Sequence, residues 1–366
     1  MATTIQGAAT YETANDSLRK RIIYQSEALF AGSSSAPAYL QRIQSANYSF
    51  TVPRTDVNQY GQLGQLERII TEVPTVSLDF SYAIAGVANE KQLFGDNSGT
   101  GLKGIMNGIN TTGAVEKQYY QMALSNEGTD YIGTGSGSNI AIHIPDGFMT
   151  SASWTGSVGD IPTATVNVES TEMKMAAALG TPTGTDESGN TNPKVCRPGN
   201  ITFEANNPTG KTNLVATGSN VVPALGIDVL HVQSFTCSMD MPRESIQRLG
   251  DKFEFARLIT FPLTGTLSLE AVISRQAADN LTDIVGTQDD ASKDPGFDIK
   301  VNLGREGTDG TKGLRLYLKD AKVEGHSFSS SIGANKSVTL DFSVIIDGGA
   351  TAAATAAAGL FLEEIG

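Results

Sequence analysis

The sequence is short of the residues that most chemistry needs. Its 366 residues include two cysteines and three histidines. Cys196 and Cys237 stand alone, which excludes a disulfide framework and leaves room for one bridge that nothing around them demands. No Cys/His spacing matches a zinc site, and His143, His231 and His326 are dispersed. No nucleophile and base can be argued from spacing, so no catalytic, cofactor-binding or metal-binding residue and no cofactor is expected. Basic residues are outnumbered: 26 Lys and Arg stand against 39 Asp and Glu, a formal net charge of −13. That balance argues against general nucleic-acid binding, which needs clustered Lys and Arg. No apolar run reaches the ~20 residues of a membrane helix. The start, "MATTIQGAATYETANDSLRK", lacks the basic-then-apolar pattern of a secretory signal. The expectation is a protein made and used without export or membrane insertion.

What is abundant is glycine, with 39 residues, and short runs of period-two alternation rich in Thr, Ser, Val and Ile. A hydrophobic content of 39% with 18% charged residues suits a globular, turn-rich, mainly β protein. The length favours two domains.

The chain also resembles itself. Residues 43–84, "IQSANYSFTVPRTDVNQYGQLGQLERIITEVPTVSLDFSYAI", lie without a gap on residues 232–273, an offset of 189. Identical pairs include Ser45/Ser234, Pro53/Pro242, Arg54/Arg243, Gly61/Gly250, Arg68/Arg257 and Leu78/Leu267. Residues 140–170 lie on 314–344 at an offset of 174, where Trp154 meets Phe328 and Gly159 meets Gly333. Two matched blocks in the same order imply a duplication. The smaller offset places a shorter connection in the second copy, opposite the Gly-rich stretch 95–137, where length changes cost little.

Each copy reads as a β-unit. In "TVSLDFSYAI", Val76, Leu78, Phe80, Tyr82 and Ile84 share a face, and Ser77, Asp79 and Ser81 share the other. Leu267, Leu269, Ala271 and Ile273 oppose Ser268 and Glu270 in the same phase. Late strands follow: Val166 and Val168 oppose Thr165, Asn167 and Glu169, while Val338, Leu340, Phe342 and Val344 oppose Thr339, Asp341 and Ser343. One dry face and one wet face are expected. "ANEKQLF" and "RQAADNLTDIV" have helical spacing. The expected organisation is an N-terminal arm (1–19), copy one (20–170), a linker (171–199), copy two (200–346) and an Ala-rich tail (347–366). Composition leaves that tail open between a helix, a strand-like arm and a frayed end.

"ANNPTGKT" (205–212) fits a permissive phosphate-loop pattern, but strand-like residues flank it on both sides. A phosphate loop must open a helix, so a hairpin turn is the better reading. The repeated "VPRTDVNQYG" and "MPRESIQRLG" are more informative. Pro53 and Pro242 end a strand, because proline offers the ladder no donor. Thr55-Asp56 and Glu244-Ser245 suit a turn or helix start. Each stretch reads as a long excursion between strands. Arg54 and Arg243 either make local ion pairs or sit on loops that reach a neighbouring subunit.

This order of elements, a strand, a Pro-containing loop, a hairpin, a helix and a late hairpin, resembles the tail tube proteins of long-tailed bacteriophages. It resembles in particular the internally duplicated kind, in which three subunits make a pseudo-six-fold ring. The resemblance covers about residues 20–170 and 200–346, and no segment suggests the extra immunoglobulin-like domain of some relatives. It implies two tandem β-sandwich units, each with a flanking helix, giving strands to a closed intersubunit β-barrel. It implies homotrimeric rings stacked into a tube that meets a tape measure protein, a tail terminator and distal tail or baseplate proteins. Viral DNA would pass through without specific binding, and the protein would sit in the virion tail after assembly in the host cytoplasm. On this reading Asp79, Ser81, Asn167, Glu169, Ser268, Glu270, Asp341 and Ser343 face the lumen. Pro53, Arg54, Asp56, Asn58 and Tyr60, with Pro242, Arg243, Glu244, Gln247 and Arg248, lie on intersubunit or inter-ring loops. Alternatives are a baseplate or distal-tail ring protein, a contractile-tail inner tube and, more distantly, a head decoration protein or adhesin.

Overall fold

The computed structural model describes residues 24–34, 36–94, 117–126, 140–177, 195–206, 230–250, 254, 256–273, 296–305, 313–329, 335–346 and 358–365. Among these the chain is mainly β, with one α-helix. In chain order the first half holds β1 (Tyr24–Ser33), β2 (Ala36–Tyr39), β3 (Ile43–Thr51), β4 (Arg54–Val57), β5 (Glu67–Ile70), β6 (Thr75–Ala83), α1 (Ala88–Phe94), β7 (Gln118–Asn126), β8 (Ile140–Ser157), β9 (Thr163–Ser170) and β10 (Lys174–Ala177). The second half holds β11 (Ile201–Asn206), β12 (Leu230–Asp240), β13 (Arg243–Ile246), β14 (Ala256–Ile259), β15 (Thr264–Ile273), β16 (Phe297–Gly304), β17 (Gly313–Ser329), β18 (Ser337–Ile345) and β19 (Gly359–Ile365).

Eight strands run side by side in the order β3-β6-β9-β8-β12-β15-β18-β17, each antiparallel to its neighbour. The two long strands, β8 and β17, serve two groups. The first part of β8 pairs β7 and β10, and its second part pairs β9 and β12. The first part of β17 pairs β16 and β19, and its second part pairs β18. Pairings recur between the halves: β1–β7 with β11–β16, β3–β6 with β12–β15, β4–β5 with β13–β14, β8–β9 with β17–β18. Irregularities recur too. The β3–β6 ladder slips between Ile43 and Ser45, and the β12–β15 ladder slips between Val232 and Ser234. Likewise β8 bulges between Met149 and Ser151, and β17 between Val323 and Gly325.

Alternation places the core as expected. Val76, Leu78, Phe80, Val166, Val168, Leu267, Leu340 and Phe342 are buried in one cluster with Leu29 and Tyr120 from β1 and β7 and with Leu316 and Leu362 from β17 and β19. Trp154 is fully buried in β8, 5.9 Å from the Phe94 ring of α1. "ANEKQLF" is that helix; "RQAADNLTDIV" lies outside the described residues, as do residues 1–19, most of the Gly-rich stretch and most of "ANNPTGKT".

Two expectations change, and one open reading is narrowed. The segment 171–199 contributes β10, which pairs β8 over Ile140–His143, so part of the linker belongs to the sheet. Within the tail, Gly359–Ile365 forms β19, which pairs β17 and buries Leu360, Phe361 and Leu362; residues 347–357 lie outside the described residues. Thr55, Asp56, Glu244 and Ser245 sit in strands, not in a turn or helix start, because each excursion folds back on itself as a hairpin. Cys196 and Cys237 are separate buried thiols, with Cys196 Sγ 3.2 Å from the Leu303 carbonyl oxygen, so the single bridge does not form. Among the described residues the eight-strand run is open, with no closed barrel within one chain.

Candidate assembly surface

The eight-strand run carries a continuous polar face. Register aligns Ser45, Ser81, Thr165, Ser153, Ser238, Thr266 and Ser343 in one row across seven strands. Cross-strand hydroxyl pairs tie the row: Ser45–Ser81 and Ser238–Thr266 are each 2.7 Å apart. The adjacent rows hold the carboxylates. Asp79 and Glu169 are exposed on β6 and β9, and Asn167 donates to Ser151 Oγ at 2.7 Å. Glu270 accepts from Ser234 at 3.2 Å, and Asp341 accepts from Ser268 at 2.6 Å. Ser343 donates to Glu324. All eight residues expected on a wet face, Asp79, Ser81, Asn167, Glu169, Ser268, Glu270, Asp341 and Ser343, therefore share one side of one sheet. Glu324 and Asp240 join them: Asp240 continues the alternation of Ser234, Thr236 and Ser238, and Glu324 breaks alternation because it sits in the β17 bulge.

The junction between the halves is β8 against β12. Thr236 opposes Thr155, Cys237 opposes Trp154, and Met239 opposes Ala152. The ladder continues at both ends, where Met241 N–H donates to the Thr150 carbonyl (2.7 Å) and Val158 N–H to the Gln233 carbonyl (2.9 Å). Its apolar side is closed: Phe235, Cys237, Met239, Ala152 and Trp154 are all buried.

The run ends in two open edges. Among the described residues β3 pairs only β6, and Lys322–Ser329 of β17 pair only β18. At the offsets of 189 and 174, β3 corresponds to β12 and the end of β17 corresponds to the end of β8. The residues that match buried junction positions are uncovered at the edges. Phe50, matching Met239, is 46% exposed, and Phe328, matching Trp154, is 45% exposed. Exposed unpaired edges with large apolar side chains invite another strand.

The Pro-Arg hairpins occupy different environments. In β13–β14, Arg243 Nε donates to the Met149 carbonyl at 3.0 Å. Arg257 pairs with the nearby Glu254 at 2.9 Å and with Glu169 at 3.0 Å, and the Arg243 and Arg257 guanidinium groups lie over the Phe148 ring, at 5.3 and 5.4 Å. Arg243 thus reaches across to the first half of the chain. Pro242, Glu244, Gln247 and Arg248 are exposed. In β4–β5 every residue is exposed. Pro53 is half-buried; the Arg54 side chain has no hydrogen-bond or ion-pair partner among the described residues. Arg68 is turned onto Asp56 of its own hairpin at 2.6 Å, a bond that lowers the Asp56 pKa. Asn58 and Tyr60 stand out near the tip, closed by Gly61 at φ 92°; Gly250 closes the other hairpin at φ 96°. That left-handed conformation favours glycine, which explains the identity at both positions. Phe148, Met149 and Arg257 escaped the sequence reading, although the aligned Arg68/Arg257 pair pointed to the last of them.

One buried acid stands apart. Glu90 in α1 is fully buried and accepts from the Tyr82 hydroxyl at 2.9 Å. Burial pushes its pKa from 4.5 up to about 7, and burial also raises Tyr82 well above its ordinary value. Glu90 lies under the sheet, away from the polar face. No protein-family model matches the chain, and comparison with curated proteins finds no significant match.

Proposed function

We propose that the chain is the structural subunit of a bacteriophage tail tube, built by duplication of a β-sandwich unit and assembled head to tail into closed rings. The observation that carries this reading is the pair of open edges, each matching one side of the β8–β12 junction. Applying that junction's register, β17 of one copy meets β3 of the next. Asn47 then opposes Ser329, Tyr48 opposes Phe328, Ser49 opposes Ser327, and Phe50 opposes His326. Such a heterologous contact closes into a ring when the rotation per chain divides the circle. Closure also removes both aggregation-prone edges.

Three chains, the number implied by the tail-tube resemblance, would contribute eight strands each. At ~4.8 Å per strand and a tilt near 40°, that barrel is roughly 45–50 Å across its backbone, wide enough for a DNA duplex with water around it. The polar face would line the lumen. Asp79, Glu169, Asp240, Glu270, Glu324 and Asp341 would repel phosphates there, and hydroxyls between them offer no basic anchor. Stacked rings in the virion tail would meet tape measure, terminator and distal-tail proteins, after assembly in the host cytoplasm.

Negative-stain images of the purified full chain, with copy number measured in particles, test this. Rings or tubes, and an abundant rather than scarce tail component, are expected. A chain that stays monomeric at every concentration and is missing from tails would overturn the proposal.

A further inference from the structure

Among the described residues, the β4–β5 hairpin is exposed throughout and has no docking site on its own chain. Its counterpart, β13–β14, rests on the bulge of β8, where Arg243 bonds the Met149 carbonyl. A bulge leaves a backbone group outside the ladder, so it presents an acceptor to an incoming donor. The same bulge stands in β17 between Val323 and Gly325, at the offset of 174. The same arginine stands in β4 as Arg54, exposed.

The acid has moved with it. Glu169, which holds Arg257, corresponds to Ser343, which has no charge. Glu324 supplies a carboxylate at that place, since Ser343 bonds it directly. Glu324 is exposed, in the bulge beside Val323. The matching arginine, Arg68, has a side chain 62% exposed and is held only by Asp56 of its own hairpin.

We propose that the β4–β5 hairpin of one copy clasps the β17–β18 bulge of the adjacent copy, with Arg54 donating to the Val323 carbonyl and Arg68 pairing with Glu324. This rests on the ring reading above, because the edge junction brings the two elements together. The occupant is a second copy of this chain: the clasp follows an interface that already exists within one chain, Glu324 offers a carboxylate to Arg68, and Lys322, which stands where Phe148 does, is paired with Asp320 at 3.4 Å. The two junction types would then differ chemically. The internal clasp stacks two arginines on Phe148 and pairs Arg257 with Glu169, whereas the intermolecular clasp has Lys322 in place of the ring and keeps only an ion pair.

Charge reversal in the full chain tests the clasp. Arg68→Glu and Glu324→Arg are each expected to raise the concentration for half-assembly about tenfold, and the double variant to recover to within about threefold of the parent. Thermal unfolding of the monomer checks that each variant folds. In parallel, Asn47→Cys with Ser329→Cys reports the edge junction by an intermolecular disulfide. If that disulfide forms but neither reversal changes assembly, or the double variant is worse than both singles, the clasp is refuted while the ring stands. If no disulfide forms and the parent stays monomeric, the ring fails and the clasp fails with it.

Discussion

Replacing Phe50 with proline attacks the open β3 edge while sparing the chain's own sheet. Met241 N–H, matching Val52, donates across the internal junction at 2.7 Å. Antiparallel ladders alternate, so the N–H groups of Val52, Phe50 and Tyr48 face the open edge, and those of Asn47 and Ser49 face β6. Proline at 50 therefore removes a donor that the isolated chain leaves unused, as edge strands tolerate. The lost intermolecular bond is worth about 1 kcal/mol. Phe50 is 46% exposed where its counterpart Met239 is 1% exposed. Covering that surface would remove roughly 90 Å² from water, worth about 2 kcal/mol. Each junction should weaken by about 3 kcal/mol, on the order of a hundredfold in its association constant. Sedimentation velocity across a concentration series reads this directly, with thermal unfolding as the control for the monomer. Asn47→Pro provides the contrast: it breaks a bond to β6 and should lower monomer stability itself. Phe50→Pro chains that assemble at the parent's concentration, with an intact monomer, would refute the edge-pairing argument.

Other expectations concern the interior and the polar face. Glu90 has a folded pKa near 7 against an ordinary 4.5. Because the raised value favours the neutral folded form, stability is full below pH 4.5 and is lost as pH rises through 7, by about 3 kcal/mol. Glu90→Gln should flatten that part of the pH profile in urea unfolding; an unchanged parent-minus-variant difference between pH 5 and pH 8 would contradict it. Burial pushes the Cys196 and Cys237 thiols up to about 12 each. Neither should react with a thiol reagent in the folded chain at neutral pH, and a reductant should leave the melting temperature unchanged. Assembled Asp79→Lys, Glu270→Lys, Asp341→Lys triple variants should retain DNA in a salt-dependent manner that the parent does not. Assembled variants with no change in DNA retention would argue against a lumenal face.

Local pattern was enough for much of the reading. Alternation marked Leu78, Phe80, Val166, Leu267 and Phe342 as core, since a strand's period of two assigns faces without knowledge of its neighbours. Pro53 and Pro242 marked strand ends because a missing donor acts locally. All eight candidate polar-face residues were named from this pattern, although their common sheet was not visible in it. Strand pairing is a non-local contact, and no local period encodes which strand lies beside which. Only tertiary structure placed β12 against β8 and left β3 and the end of β17 open. It recruited Lys174–Ala177 and Gly359–Ile365 as strands because the long β8 and β17 had edges to cover. It also separated two aligned hairpins, setting Arg243 on the Met149 carbonyl and leaving Arg54 in solvent. The difference comes from what lies beneath each hairpin, a term that a one-dimensional comparison of the two stretches does not contain.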